Sequence, residues 1–398
     1  MSAWQQWLQE RARVRELRGL TRATDEATGL YDLASNDYLG LARDPRLVEA
    51  AHRASLRHGT GASASRVVTG THPVHRELEG GLCRLTGRDE ALVFSSGYLA
   101  NLGILGALGG PGTLLVVDEQ AHASLIDGAR LARSPLAWTS HHGVQETIDL
   151  LASRNQPRAV VVVESVYSVG GDAAPLAELA AACRQYDALL LVDEAHSLGV
   201  GTAGGAVRAA SLAGDPSVVV TATLSKALGA AGGAVLFGGE PAGMLRTHLA
   251  STARSFIFDT ALAPGCAAAA GEAVRILEND PALAAAVPTQ VELMTDTLGR
   301  LLPAGSRSGQ RNPAEPGVIE SGAGAVVSLR VGSAETATSI AAELREARIA
   351  VGCFRPPSVP DGVSRIRLTA RANQHPEELA DALVTVAATV SRHAGVPA

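Results

Sequence analysis

One side chain in this sequence can act as a nucleophilic amine. Of the 34 lysines and arginines in 398 residues, only Lys226 is a lysine. Arginine supplies positive charge anywhere, but it does not deprotonate at working pH and cannot attack a carbonyl. Lys226 stands in Thr223-Leu224-Ser225-Lys226-Ala227-Leu228-Gly229, flanked by hydroxyls and small residues that leave it unhindered. Partial desolvation at such a place lowers an amine's pKa and favours a Schiff base with an aldehyde. The alternative is a surface lysine in a Gly/Ala loop, which is the fate of most lysines. Here the chain already uses arginine wherever a plain surface cation would do.

The run Leu189–Val192 ends in Asp193, with His196 three residues further on. A carboxylate at the end of a buried strand could pair with a pyridinium nitrogen and keep that ring an electron sink. A helix-capping Asp and a solvated His explain the same residues equally well. Asp193-Glu194-Ala195-His196 also spells the DEAH box of helicase-like ATPases. That reading needs a G-x-x-x-x-G-K-[ST] phosphate loop, and the only lysine is followed by Ala227, so it fails. Gly199-Val200-Gly201-Thr202-Ala203-Gly204 matches a dinucleotide fingerprint but starts too late after the strand and lacks the acidic residue downstream. It is read as a flexible loop.

Four further places could hold a ligand. Phe94-Ser95-Ser96-Gly97-Tyr98-Leu99-Ala100-Asn101 passes from a strand to a helix, whose first N–H groups suit a phosphate, though an ordinary β–α turn with a serine cap looks the same. Thr223 and Ser225 could bond the same phosphate. His122 follows another strand end and could stack on a planar ring, or simply cap a helix. Glu164 and Ser168 follow a third, and Ser168 could meet a ring hydroxyl or sit in a turn. In Ser364-Arg365-Ile366-Arg367-Leu368, alternation puts both arginines on one face, where one could hold a carboxylate or both could face solvent.

The elements that must place these residues are legible as short apolar runs: Ala91–Phe94, Leu114–Val117, Val160–Val163, Leu189–Val192, Val218–Val220 and Ala234–Phe237. Unbroken runs, rather than alternating ones, are expected of strands buried on both faces. Helical patterns such as Pro175–Tyr186 separate them, which predicts an α/β fold with a mostly parallel sheet flanked by helices. Ligands of such folds gather at the carboxyl ends of the strands. Residues 3–18 predict an amphipathic leading helix that packs on something. Ser306–Gly324 reads as a loop, and the segments after it as β–α–β–β. The expected organisation is an arm at 1–40, a large domain at 41–285 and a smaller α+β domain at 286–398.

Composition excludes other classes. A net charge of −6 without a basic run argues against nucleic acid or an anionic membrane surface as partner. No segment offers the roughly 20 apolar residues of a membrane helix. The charged first residues lack the apolar core of an export signal. The four cysteines are far apart, with no metal-ligand spacing. A soluble protein of the reducing cytoplasm, without a metal, is expected.

Taken together, the constellation resembles the fold-type I pyridoxal-phosphate enzymes, and within them the α-oxoamine synthases, over residues 36–371. Leu33-Ala34-Ser35-Asn36-Asp37-Tyr38-Leu39-Gly40, Ser65-Arg66-Val67-Val68-Thr69-Gly70 and the lysine segment carry the likeness. Arg355-Pro356-Pro357-Ser358-Val359-Pro360 is similar to the branch that joins L-alanine to a pimeloyl thioester on the route to biotin. Ser358 stands where threonine is common, and Ser197 where glycine is more usual.

The resemblance implies a decarboxylative acyl transfer with pyridoxal 5'-phosphate as cofactor. Its substrates would be L-alanine and pimeloyl-CoA or a pimeloyl-acyl carrier protein, in a homodimer with shared sites. It implies Lys226 as the Schiff-base lysine, Asp193 on the ring nitrogen, His122 stacked on the ring, and Ser168 and His196 at its hydroxyl. Gly97, Tyr98 and Thr223 would lie at the cofactor and its phosphate, with Thr260 reaching the partner's phosphate. Arg367 and Asn36 would serve the amino acid, and Arg18 and Ser358 the acyl substrate. The alternatives are a glycine-using relative such as a 2-amino-3-ketobutyrate ligase, and a catalytically silent binding protein on the same fold.

Overall fold

The unbroken apolar runs form the centre of the molecule. In a computed structural model describing residues 1–22, 24, 26–302, 317–356, 358, 359 and 361–393, seven strands make one sheet. These are β2 (Glu90–Phe94), β3 (Thr113–Asp118), β4 (Leu136–Thr139), β5 (Arg158–Glu164), β6 (Leu189–Asp193), β7 (Val218–Thr223) and β8 (Gly233–Phe237), following a short β1 (Tyr31–Leu33) that lies elsewhere. Their spatial order is β2-β8-β7-β6-β5-β3-β4, and only β8 runs against its neighbours.

Successive side chains of each central strand enter different cores. Leu114 and Val116 of β3 join one cluster and Leu115 and Val117 the other; Val161 and Val163 of β5 part from Val160 and Val162 in the same way. Each such buried Val or Leu contributes about 1.5–3 kcal/mol, which is why these strands read as continuous apolar runs. The edge strand β4 was not legible, because it is short and Trp138 remains exposed.

The second sheet has the order β1-β11-β12-β10-β9. It contains β9 (Ile319–Ser321), β10 (Val326–Gly332), β11 (Ile349–Phe354) and β12 (Ser364–Thr369), with the helix Ala334–Glu346 between β10 and β11. This is the expected β–α–β–β, joined by two strands that were not expected. One of them, β1, comes from the leading arm and runs parallel to β11. The helix Ala282–Leu301 continues through position 285/286, with Pro288 inside it.

Several expectations change. The leading helix forms at Ala3–Leu17, but none of its residues is buried and Trp4 is 73% exposed. Among the described residues nothing covers its apolar stripe. The glycine segment 199–204 is a hydrogen-bonded turn, with Gly201 N–H donating to Ala284 O, that leads into the short helix Gly205–Ala209. Residues 319–321 of the expected loop are strand, and 303–316, with Pro357 and Pro360, lie outside the described residues. Among the described residues, no helix is long and apolar enough to cross a membrane.

One ion cluster pins the sheet's carboxyl edge. Asp118 ends β3, and its Oδ1 meets His141 Nδ1 at 3.2 Å, while His141 Nε2 meets Asp172 Oδ2 at 2.7 Å. His142 Nε2 approaches the same Asp172 oxygen, giving a trio with metal-ligand atom types. Burial alone would make His141 harder to protonate. The two carboxylates override it and raise the imidazole to about 9. A folded-state pKa raised above the unfolded value stabilises fully below the unfolded pKa and is lost as pH rises through the folded one. His141→Gln should therefore lower the urea midpoint most near pH 6, by the equivalent of about 2 kcal/mol. The gap should close above about pH 9. A gap independent of pH would contradict this assignment.

Candidate active site

Because the strands run parallel, their carboxyl ends present the chemically distinctive residues along one edge. β2 ends at Phe94 before Ser95–Tyr98, β3 at Asp118 before His122, β5 at Glu164, β6 at Asp193 and β7 at Thr223 before Lys226. Adjacent register sets Asp193 between Glu164 and Thr221. A cleft of about 150 Å³ opens there, lined in part by Gly97, His122, Glu164, Asp193, His196 and Lys226.

Lys226 Nζ lies 2.7 Å from His196 Nε2. Loss of hydration, partly opposed by Asp193 and Glu164, lowers the amine to about 8, so near that pH half of it is neutral. His196 is buried and held well below the ordinary imidazole range, first by burial and then by the charges of Lys226 and Arg367. Asp193 accepts from Asn101 Nδ2 at 2.7 Å and from Ala195 N–H at 2.9 Å, which orient its carboxylate. His122 caps the helix Ala123–Leu131, its Nδ1 accepting from Ser124 N–H at 3.2 Å. Burial lowers its pKa too, so it stays a neutral ring.

At the cleft's other end, Ser96 caps Leu99 at the start of the helix Gly97–Leu108. Gly97 and Tyr98 supply the first N–H groups of that helix, beside Thr223, whose Oγ1 is 2.8 Å from Ser225 Oγ. Close approach explains the glycines. A Cβ on Gly97 would come within 3.1 Å of the Thr223 Cβ, and one on Gly233 within 2.4 Å of Gly97 N.

A pyridoxal-phosphate group fits these residues. The helix start and the Thr223/Ser225 hydroxyls suit a phosphate, Asp193 a pyridinium and Lys226 a carbonyl. Asn101 Oδ1, Glu164 Oε1 and Thr221 Oγ1, all on residues lining the cleft, are buried without a hydrogen-bond partner among the described residues, which is what a site built for a polar ligand leaves behind.

Arg367, on β12, reaches this edge from the second sheet. It is 5% exposed and donates through Nη1 to Ser168 O at 2.9 Å and through Nη2 to Asn36 Oδ1 at 2.8 Å, with its plane over Phe354. Its Nε is buried without a partner. Arg365, on the same face, is instead consumed by Glu320 and Asp361. Ser168 thus meets Arg367 through its carbonyl, and its hydroxyl does not line the cleft.

Three expected residues are not brought to the cleft. Arg18 is exposed at the end of the leading helix, beside a separate pocket of about 580 Å³ that it shares with Thr338 and Arg355. Ser358 accepts from Arg22 at 3.2 Å. Thr260 is exposed next to Asp259, which accepts from Ser95. Tyr98 is 44% exposed and donates to Asp127 at 2.5 Å, so only its backbone suits the phosphate. The sequence places Asn101 in the strand-to-helix segment but gives it no role, because its partner Asp193 is 92 positions away. Nor does it give a role to Arg355, whose guanidinium clamps the arm to the helix Ala334–Glu346 through Gly19 O, Thr21 O and Thr338 Oγ1.

Comparison with known proteins places this geometry in context. The aminotransferase class I and II family model matches residues 28–386. The 8-amino-7-oxononanoate synthase of Mycolicibacterium smegmatis is 46% identical over 95% of this chain and 94% of its own. That of Mycobacterium sp. strain JLS is 48% identical over 94% and 93%. Among solved structures, a serine palmitoyltransferase variant from S. paucimobilis with a bound pyridoxal-phosphate–myriocin adduct superposes with a TM-score of 0.82, at 29% identity over 92% of this chain and 88% of that one.

Proposed function

The chain belongs to the class I and II aminotransferase family, and from that premise we propose that it catalyses the 8-amino-7-oxononanoate synthase reaction named for its curated relatives. L-alanine and a pimeloyl thioester condense with loss of CO2 and release of the thiol, a step in making biotin. It is a pyridoxal-phosphate-dependent C-acyltransferase. The observation that carries this reading is the convergence of Lys226, Asp193, His122 and His196 on one cleft, with Arg367 at its rim.

When bound, pyridoxal phosphate supplies a carbonyl for amine condensation and a protonated ring that draws electrons from the amino acid's Cα. The chain's own residues do the rest. Gly97, Tyr98, Thr223 and Ser225 would hold the phosphate, and Asp193, oriented by Asn101, would pair with the ring nitrogen. His122 would offer its neutral ring to the cofactor's plane, and His196, beside Lys226, would meet the cofactor's hydroxyl. Arg367 and Asn36 take the amino acid's carboxylate. Lys226, with its lowered pKa, is the base that removes the Cα proton and later returns one.

Arg367→Gln should raise KM for alanine roughly 10- to 100-fold, the value of a charge-assisted hydrogen-bonded carboxylate contact, and change kcat less. Steady-state kinetics with varied alanine checks this. An unchanged KM would remove Arg367 from substrate binding.

The exposed Trp4/Trp7 stripe and the placement of Thr260 outside its own cleft support a homodimer in which Thr260 serves the partner's site. Arg18, on the arm that Arg355 clamps, and Ser358, which accepts from Arg22 of that arm, serve the acyl chain. The four free cysteines suit a reducing, cytoplasmic compartment. The deciding assay pairs alanine and glycine with pimeloyl and acetyl thioesters. Alanine with pimeloyl should be preferred; glycine with the short acyl group would assign the chain to the glycine-using relatives instead.

A further inference from the structure

A hydrogen-bond chain joins Arg367 to Lys226, and the chemistry of its members fixes the direction of every bond in it. Arg367 can only donate. Its Nη2 donates to Asn36 Oδ1 at 2.8 Å, which orients that amide, because an inverted one would oppose its NH2 to the guanidinium. Asn36 Oδ1 can only accept, so the Tyr38 hydroxyl, 3.1 Å away and fully buried, donates its single proton there. With its proton so placed, Tyr38 offers His196 Nδ1 only lone pairs, at 2.7 Å, an arrangement that favours the ring's proton on Nδ1. The ring is neutral, since burial, Lys226 and Arg367 all oppose a second proton. His196 Nε2 is then bare where it meets Lys226 Nζ at 2.7 Å.

We propose that Tyr38 and Asn36 are positioning residues that lock His196 in its Nδ1–H tautomer, so that Nε2 accepts an N–H from Lys226 and leaves the amine's lone pair free for a carbonyl. The opposite tautomer would aim an Nε2–H at that lone pair and occupy the nucleophile. Neither residue touches the amine; both act through His196. The link between the tautomer and carbonyl capture rests on the reading of Lys226 as the cofactor lysine, whereas the tautomer itself does not.

The test uses the full chain labelled with [15N]histidine, with His196 assigned by difference from His196→Gln. Wild type should show the Nδ1–H pattern. Asn36→Ala frees the Tyr38 hydroxyl to donate to Nδ1 and should move the proton to Nε2, whereas Asn36→Asp keeps the acceptor and should restore Nδ1–H. Tyr38→Phe removes the lock and should give a mixture. In parallel, pyridoxal phosphate is added to cofactor-free chain and its capture followed by absorbance. Capture should slow about tenfold in Asn36→Ala, the size of one misdirected hydrogen bond, and recover in Asn36→Asp. Because the chain has one lysine, covalent capture at a side-chain amine reports on Lys226 alone.

An Nε2–H tautomer in wild type, or an unchanged Nδ1–H in Asn36→Ala, overturns the proposal. If Tyr38→Phe does not fold, the wild-type and Asn36 spectra still decide. Expected tautomers in a chain that captures no pyridoxal phosphate would support the lock and overturn the functional reading instead.

Discussion

Replacing Lys226 with arginine abolishes turnover, lowering kcat/KM by roughly 10⁴-fold or more, because the variant keeps the charge and loses the only side-chain amine that can condense with a carbonyl. No second lysine exists to substitute for it, so the loss should be complete rather than partial. The amine is prepared by its place: burial lowers it to about 8, and Asp193 and Glu164 keep that fall from going further. A guanidinium has no corresponding neutral form. Arginine is also larger and must share space with His196, so Lys226→Ala provides the second arm. It should retain the fold, show no borohydride-trapped cofactor, and recover part of its rate with a small exogenous amine. Near-normal turnover in either variant would refute the assignment of Lys226.

The second large effect belongs to Asp193. Asp193→Asn should lower kcat/KM roughly 10²- to 10⁴-fold with little change in KM for alanine, because the lost charge acts where electron density accumulates rather than where substrate is held. Asparagine can still bond Asn101, so the site's geometry survives while its electrostatics do not. Stability should move the other way. Glu164 is buried in the neighbouring register position, and its carboxyl is pushed up first by burial and next by Asp193. Removing the Asp193 charge relieves that repulsion, so the variant's Tm should equal or exceed that of wild type. Activity and Tm falling together would mean that Asp193 is structural.

Residues announced by a strand end were legible before any fold was known. Lys226, Asp193, His196 and His122 each follow an apolar run, and a parallel sheet turns that shared grammar into one edge. Tyr38 and His196 are 158 positions apart, and Asn36 and Arg367 331 apart, so their bonds depend on how the second sheet docks against the first. No local spacing encodes that. Arg365 and Arg367 show the same limit. Alternation placed both on one face, but only the docking decided that Glu320 and Asp361 engage one and Asn36 the other. The leading helix shows the opposite case, since its amphipathic pattern forms a helix that nothing among the described residues covers.

The central claim is a decarboxylative condensation, and one measurement addresses it directly. Holoenzyme is given L-alanine labelled at the carboxyl carbon and a pimeloyl thioester, and labelled CO2, free thiol and aminoketone are counted together. One of each per turnover is expected, with no CO2 when the thioester is omitted. Label retained in the product, or pyruvate formed from alanine without CO2, would make this an aminotransferase of the same family and contradict the account.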